Sequence, residues 1–334
     1  MNKSAKMLIR KYNNTKTGRQ QCLLIAFLLF VLPVSAQFES QISQYMLNMP
    51  SFNPAAVGEN GMINVSGQHR IQWVGVPGAP QSTFFSINTP FKMGEKVDHG
   101  LGIKFLNDKI GAFNSQAAHF QYAFKRKIGK GKLSAGVDVG FVNVGFVHDS
   151  IKNANINADY YDFLGDAAIP KADDTGISFD LTAGLFYSAP KYYLGVSYVH
   201  LNTPKITLNE ERTKFDVRGV LYFTGGYDFV FKDPKWKIRS SSLVKSDFIT
   251  WQAELTGRLV YDERFWGGLS YRFQDAAVVL AGINVMNGMQ IGYAYDLPVG
   301  KMLGPSSGSH EVFLSYSFLF DMGKKNSYKS IRIL

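Results

Sequence analysis

The sequence predicts an all-β protein: a transmembrane antiparallel β-barrel of about 14 strands behind a cleaved N-terminal signal peptide. Three observations predict it. A basic amino terminus runs into a short apolar stretch. Most of the remaining chain alternates polar and apolar residues with period two. The connections between the alternating stretches are long and short in turn. Composition agrees: 46% apolar residues are too many for a disordered chain, and a mean hydropathy of −0.08 is too low for a bundle of membrane helices. The single cysteine excludes a disulfide framework or a four-cysteine zinc site.

Residues 1–21 carry Lys3, Lys6, Arg10, Lys11, Lys16 and Arg19 and no acid. The apolar run 22–34 that follows is shorter than the about 20 residues a membrane-crossing helix needs. Pro33 and the brevity of the run argue against an anchor helix. Val34, Ser35 and Ala36 supply the small or modest residues that signal peptidase requires. Residues 1–36 are therefore expected to be a signal peptide, with the mature chain starting at Gln37. Cys22 stands before the apolar run and not after it, so a lipoprotein signal does not fit, and the mature chain has no cysteine. Residues 37–58 precede the first strand and either plug the lumen or run along its periplasmic mouth. Residues 59–320 form the barrel.

Alternation is clearest at 133–141, where Leu133, Ala135, Val137, Val139 and Phe141 form one face and Ser134, Gly136, Asp138 and Gly140 the other. In 63–73 the polar face is Asn64, Ser66, Gln68, Arg70 and Gln72. Fourteen such strands are expected, at 63–73, 82–89, 100–107, 115–126, 132–145, 177–188, 192–201, 217–231, 235–246, 250–261, 265–273, 276–285, 289–296 and 310–320. Trp236, Trp251 and Trp266 fall near strand ends, where indoles sit at a membrane interface. The longest connections, 146–176, 202–216 and 297–309, follow strands five, seven and thirteen. Turns near Gly129, Pro190, Asp233, Glu263 and Asn287 follow even strands and are short. A soluble sandwich has no reason to sort loops this way, whereas an outer-membrane barrel has short periplasmic turns and longer outer loops. The connection 90–99, after strand two, is the exception.

Charge is unevenly placed. Of the formal +10, six units lie in residues 1–36, three in the tail 321–334, and one in everything between. The tail is expected to be basic and periplasmic, either a free end or a docking peptide. This distribution removes the nucleic-acid reading that +10 invites.

Little in the sequence carries chemistry. None of the six histidines, at 69, 99, 119, 148, 200 and 310, forms an HxH or HxxxH pair. A barrel esterase would need His119 on the lumen face beside an ordered serine and acid, and no such triad is evident. The stretch 129–132 is a hairpin turn, not a phosphate loop. The aspartates of 146–176 lack the ligand spacing of a calcium loop. No cofactor is expected, and no catalytic or metal residue.

The motifs carry more. QISQYMLNMPSFNPAAVG at 41–58 precedes HRIQWVGVPGAPQS at 69–82 and FLNDKIGAFN at 105–114. GLSYRFQDAAVVLAGINV at 268–285, MQIGYAYDLP at 289–298 and SSGSHEVFLSYSF at 306–318 follow. In this order they resemble the PorP/SprF family of type IX secretion system outer-membrane proteins of the Bacteroidota, over nearly all of the mature chain. The Asp-rich stretch 146–176 and the tail after Phe320 have no strong counterpart in the family pattern.

The resemblance implies an integral outer-membrane barrel without enzymatic activity. Such proteins support secretion or surface attachment of cargo with type IX C-terminal signals, including large adhesins in gliding relatives. Implied partners are periplasmic ring proteins, a peptidoglycan-binding lipoprotein, the cargo and outer-membrane lipid, not nucleic acid. The alternative is a channel for small solutes. The family-motif positions are Asn53, Pro54, Arg70, Trp73, Asn107, Asp108, His310 and Glu311, each with a structural or a partner-binding role. Arg70, on the polar face of the first strand, is expected to pair with a lumen carboxylate such as Glu254 or Asp138, or to anchor segment 37–58.

Overall fold

The computed structural model describes residues 39–92, 98–148, 170–208, 213–285, 288–300 and 302–319. The expected signal peptide 1–36, the tail 321–334 and most of the aspartate-rich stretch lie outside the described residues. Sixteen strands follow one another: β1 (Ile63–Ile71), β2 (Gln81–Lys92), β3 (Asp98–Ile110), β4 (Phe113–Ile128), β5 (Gly131–Phe146), β6 (Asp174–Ser188), β7 (Tyr192–Val199), β8 (Lys205–Leu208), β9 (Thr213–Asp216), β10 (Val220–Val230), β11 (Trp236–Ser246), β12 (Trp251–Tyr261), β13 (Phe265–Arg272), β14 (Ala276–Val285), β15 (Met289–Pro298) and β16 (Ser309–Phe318).

All but β8 and β9 form one closed antiparallel barrel of fourteen strands, matching the fourteen alternating stretches one for one. β7 pairs directly with β10. β1 closes the ring against β16, in a register running from Ile63 opposite Phe318 to Ile71 opposite His310. Closure gives every barrel strand a hydrogen-bonded neighbour on both sides, which leaves no open sheet edge to the lipid.

The alternation sorts the side chains by face. On β5, Ser134, Gly136, Asp138 and Gly140 are buried, while Leu133, Val137, Val139 and Phe141 are exposed. This inverts the order of a soluble domain: Ile177 is 69% and Leu269 67% exposed, whereas Arg272 and Glu311 are 0% exposed. An apolar belt around a polar interior is the arrangement that lipid outside and a filled lumen inside require. Among the described residues no helix is long and apolar enough to cross a membrane.

The loop pattern sharpens. β2 extends to Lys92 and β3 begins at Asp98, so the exceptional connection shrinks to 93–97. Every connection at that end of the barrel now has two to five residues. The longer connections, from β1 to β2, β5 to β6, β7 to β10 and β15 to β16, all start and finish at the opposite end. We refer to the short-turn end and the long-loop end. Gly129 (φ 60°) on one end and Gly111 (φ 59°) on the other take the left-handed conformation that two-residue hairpin connections demand.

Two expectations need correction. The connection 202–216 is not plain loop: β8 and β9 form a separate hairpin. Its Ile206 and Leu208 pack, with Val217, on Ala117, Val142, Val144 and Phe146 of β4 and β5. Four-residue strands are too short for alternation to stand out against a loop. Trp266 is not an interfacial indole: it is 5% exposed and packs inside with Leu280 and Ala294. It is the second residue of β13, one step out of phase with the exposed Trp236 and Trp251, each the first of its strand.

Candidate functional site: a latched segment in the lumen

Residues 39–58 run through the barrel interior. Three single-turn 3-10 helices, Tyr45–Leu47, Met49–Ser51 and Pro54–Ala56, keep this stretch compact. Ser43, Gln44, Tyr45, Ala55 and Val57 are wholly buried, and their partners lie on strands all around the wall. The segment touches the long-loop half through Glu39, Gln41 and Ser43 and leaves at the short-turn end, where the Gly58 amide donates to Asn88 Oδ1.

At the long-loop half, Glu311 accepts two successive backbone amides, from Ser43 (2.7 Å) and Gln44 (2.8 Å). Gln68 Nε2 donates to the same carboxylate at 2.7 Å. Arg70, directly opposite Glu311 across the closing seam, donates to Asp296 at 2.8 Å and lies 3.4 Å from Glu311. Arg272 donates to Glu254 at 2.8 Å and to Asp296 at 2.9 Å. Ser43 Oγ sits at the centre: it accepts from Arg70 (2.8 Å) and Arg272 (2.7 Å) and donates to Asp296. A buried charge is tolerated when it is paired and its remaining donors are satisfied. Here the hydroxyl and amides of the segment complete a charge set contributed by β12, β13, β15, β16 and β1. The expected partners of Arg70, Glu254 and Asp138, are replaced by Asp296 and Glu311. Sequence reasoning could not choose among lumen carboxylates, because register around the ring selects the partner.

A second line of charge crosses the other side of the lumen. Lys104 lies 2.7 Å from Asp138, and Asp138 2.6 Å from His119 Nδ1. His119 Nε2 lies 3.6 Å from Asp180, which pairs with His200 Nδ1 at 2.8 Å. His200 Nε2 reaches Glu39 of the segment at 3.2 Å. Burial alone would lower the His200 pKa, but hydrogen bonds and charge from Asp180 and Glu39 outweigh it and push it up to about 9. Burial likewise opposes the Glu39 carboxylate, and the hydrogen bond and charge of His200 hold it below the usual range. Lys104 also donates to the Ser51 carbonyl at 3.1 Å. His119 thus faces the lumen between two acids, Asp138 and Asp180.

The Asn-Pro-Ala-Ala stretch docks by shape. Asn53 Oδ1 accepts the Ala55 amide, capping the turn, while its Nδ2 donates to the carbonyls of Leu185 (3.1 Å) and Val196. Pro54 presets the first position of that turn. Glycines clear the wall beneath: a Cβ on Gly136 would stand 2.3 Å from the Ala55 nitrogen, and one on Gly184 2.3 Å from Asn53 Oδ1.

The remaining motif residues separate. Trp73 lies in the connection after β1, in a left-handed conformation (φ 47°), with its amide on Ser309 Oγ. Asp108 is buried and accepts from Ser82. Asn107, next to it on β3, accepts from Gln116 at 3.2 Å. His310 meets Tyr293 Oη at 2.6 Å on the outer side of the seam. The structure therefore brings Arg70 and Glu311 together and leaves the other six apart from them. Ser43, Gln68, Glu254, Arg272 and Asp296 complete the site. They were legible only as polar members of alternating strands or motifs.

Below the segment, at the short-turn end, a cavity of about 370 Å³ is lined by Met46, Met49, Glu59, Asn64, Tyr192 and Gln290 among others.

Several solved outer-membrane barrels are similar to the chain at low identity. The translocator domain of the autotransporter NalP from Neisseria meningitidis is 12% identical, with 78% of this chain and 88% of that one covered and a TM-score of 0.43. Omp33 of Acinetobacter baumannii is 9% identical, covering 77% and 98%, at 0.44. The CymD monoaromatic hydrocarbon channel is 12% identical, covering 86% and 95%, at 0.46. No curated protein matches the chain at a significant level. The family of type IX secretion system membrane proteins PorP/SprF matches residues 34–316, which takes in the lumenal segment, the barrel and both sides of its seam; the chain belongs to that family.

Proposed function

We propose that this protein is a plugged outer-membrane scaffold. It supports secretion or surface attachment of proteins with type IX C-terminal signals through protein–protein contacts, with no reaction of its own. The observation that carries the reading is the occupied lumen: residues 39–58 run through the interior and are held by charge-assisted hydrogen bonds to β1, β13, β15 and β16. A general-diffusion porin, by contrast, keeps a water-filled channel through its lumen. The family supplies the secretion context. With the short-turn end periplasmic, as outer-membrane barrels have it, the 370 Å³ cavity and the basic turn around Arg126, Lys127, Lys130 and Lys132 face the periplasm. Periplasmic ring proteins and a peptidoglycan-binding lipoprotein are the partners this reading expects there, with adhesin-type cargo in gliding relatives.

Planar bilayers test the plug: the intact protein should give no large, steady single-channel current, and such a current would support the solute channel instead. Pull-down of the detergent-solubilised protein tests the contacts. It should recover secretion-machinery proteins or a protein with a C-terminal signal, and recovery of neither would overturn the scaffold.

A further inference from the structure

Arg258 is the lumenal charge that the segment does not satisfy. It lies on β12, near the short-turn end, and is 7% exposed. Arg70 and Arg272 have carboxylates within 3 Å, but among the described residues Arg258 has no ion pair and no hydrogen bond, and its Nε is buried without a partner. Its one contact of note is the face of Trp266, 5.3 Å from the guanidinium carbon. Its cross-strand neighbour is another cation, Arg239, and that one is neutralised by Asp228 (3.4 Å) and Glu263 (3.0 Å). A buried guanidinium opposite a like charge is costly unless something anionic meets it.

Two further donors lie nearby. Trp266 Nε1 is buried without an acceptor. Tyr193, which lines the 370 Å³ cavity at the short-turn end, turns its buried hydroxyl toward Thr224 and Ser241, within the field of Arg258. Asp228, in the same lining, is committed to Arg239. Leu47 of the lumenal segment lines this cavity and also packs on the cluster that contains Trp266. An unpaired planar cation flanked by an unpaired indole N–H and a phenol is the donor set that recognises an oxyanion.

We infer that Arg258, Trp266 and Tyr193 form an oxyanion-binding site, reached from the short-turn cavity, that takes a carboxylate or phosphate group. The guanidinium fork binds the two oxygens side by side, the indole and phenol donate from the flanks, and the indole face supports the cation. The group belongs either to a free small anion or to a polypeptide carboxylate. The site stands on this geometry alone and does not depend on the secretion reading.

The full-length protein in detergent is titrated calorimetrically with sodium phosphate, sodium acetate, and a short peptide bearing a free or an amidated C-terminus, at constant ionic strength set with sodium chloride. Saturable binding of phosphate or acetate identifies a free anion; binding of the free-acid peptide alone identifies a chain carboxylate. Arg258→Gln should weaken whichever binds by about tenfold or more, the loss of one charge-assisted contact. Arg258→Lys, which keeps the charge but not the fork, should fall between. Stability distinguishes a ligand site from a structural one. In anion-poor buffer Arg258→Gln should unfold at the same or a higher temperature than the parent, because it removes an uncompensated charge, and added anion should no longer raise it. The inference is overturned by no saturable binding to the parent protein, by equal binding to Arg258→Gln, or by a loss of stability in that variant without anion.

Discussion

Neighbouring residues of one motif do different work here, because a strand turns them to opposite faces. Glu311 looks inward and holds two amides of the segment together with Gln68. His310 looks outward to Tyr293. Glu311→Ala should lower the unfolding free energy by about 3 kcal/mol, since it leaves two buried amides and the Gln68 side chain without their acceptor and takes one of the two carboxylates from Arg70. His310→Ala removes one hydrogen bond and should cost about 0.5–1.5 kcal/mol. Urea unfolding followed by gel mobility ranks the two, and equal losses would contradict the latch. His200 makes a separate prediction. It is faced by Asp180 from β6 and Glu39 from the segment, with His119, Asp138, Lys104 and Lys245 beyond them. Its pKa is raised in the folded state to about 9. The charged imidazolium therefore stabilises fully below the unfolded value of about 6.5, and that contribution is lost as the pH rises through about 9. Thermal unfolding of the parent between pH 6 and 10 should show this loss, and His200→Gln should be flatter across the same window.

Elements were legible in proportion to their length and their alternation. All fourteen barrel strands show in the sequence because each presents a polar and an apolar face for eight or more residues. The pair β8 and β9 has four residues each, and only the inward packing of Ile206 and Leu208 reveals it. The end of β2 and the start of β3 were hidden for another reason: Pro90 reads as a turn residue, yet it sits inside the ladder opposite Gly100. Gly100 is there because Val57 of the segment crosses it, with the Val57 carbonyl 2.2 Å from where a Cβ would stand. The same logic makes Gly136 a test of how the segment is seated. Gly136→Val fits the strand propensity of β5 but collides with the Ala55 backbone. The barrel should still form, while residues 53–57 lose their seat and become open to protease. Limited proteolysis with the unchanged chain as control measures this; a variant that is cut no faster would show that the segment does not need that wall.

At the scale of the whole molecule, the formal charge of +10 says little about the barrel, since six units lie before residue 37 and three after residue 320. What matters is how the remaining charge is arranged inside. Arg70, Lys125, Lys245, Arg258 and Arg272 are buried on the inner wall, and Lys104 joins them beside Asp138. Asp108, Asp138, Asp180, Glu254, Asp296 and Glu311 oppose them. The inner wall is thus close to neutral, with both signs interleaved around the ring. A general diffusion pore of one selectivity concentrates one sign along its lumen. Deleting residues 39–57 removes the hydroxyl and amides at the centre of the latch but none of these wall charges. The fourteen-strand ring and its seam involve no residue of the deleted stretch, so the barrel should still close. It should then conduct where the intact protein does not, and with weak preference between cation and anion. Reversal potentials across a potassium chloride gradient measure that preference. A strongly selective current would mean that one sign of the wall dominates the path, and no current at all would mean that the wall side chains close the lumen without the segment.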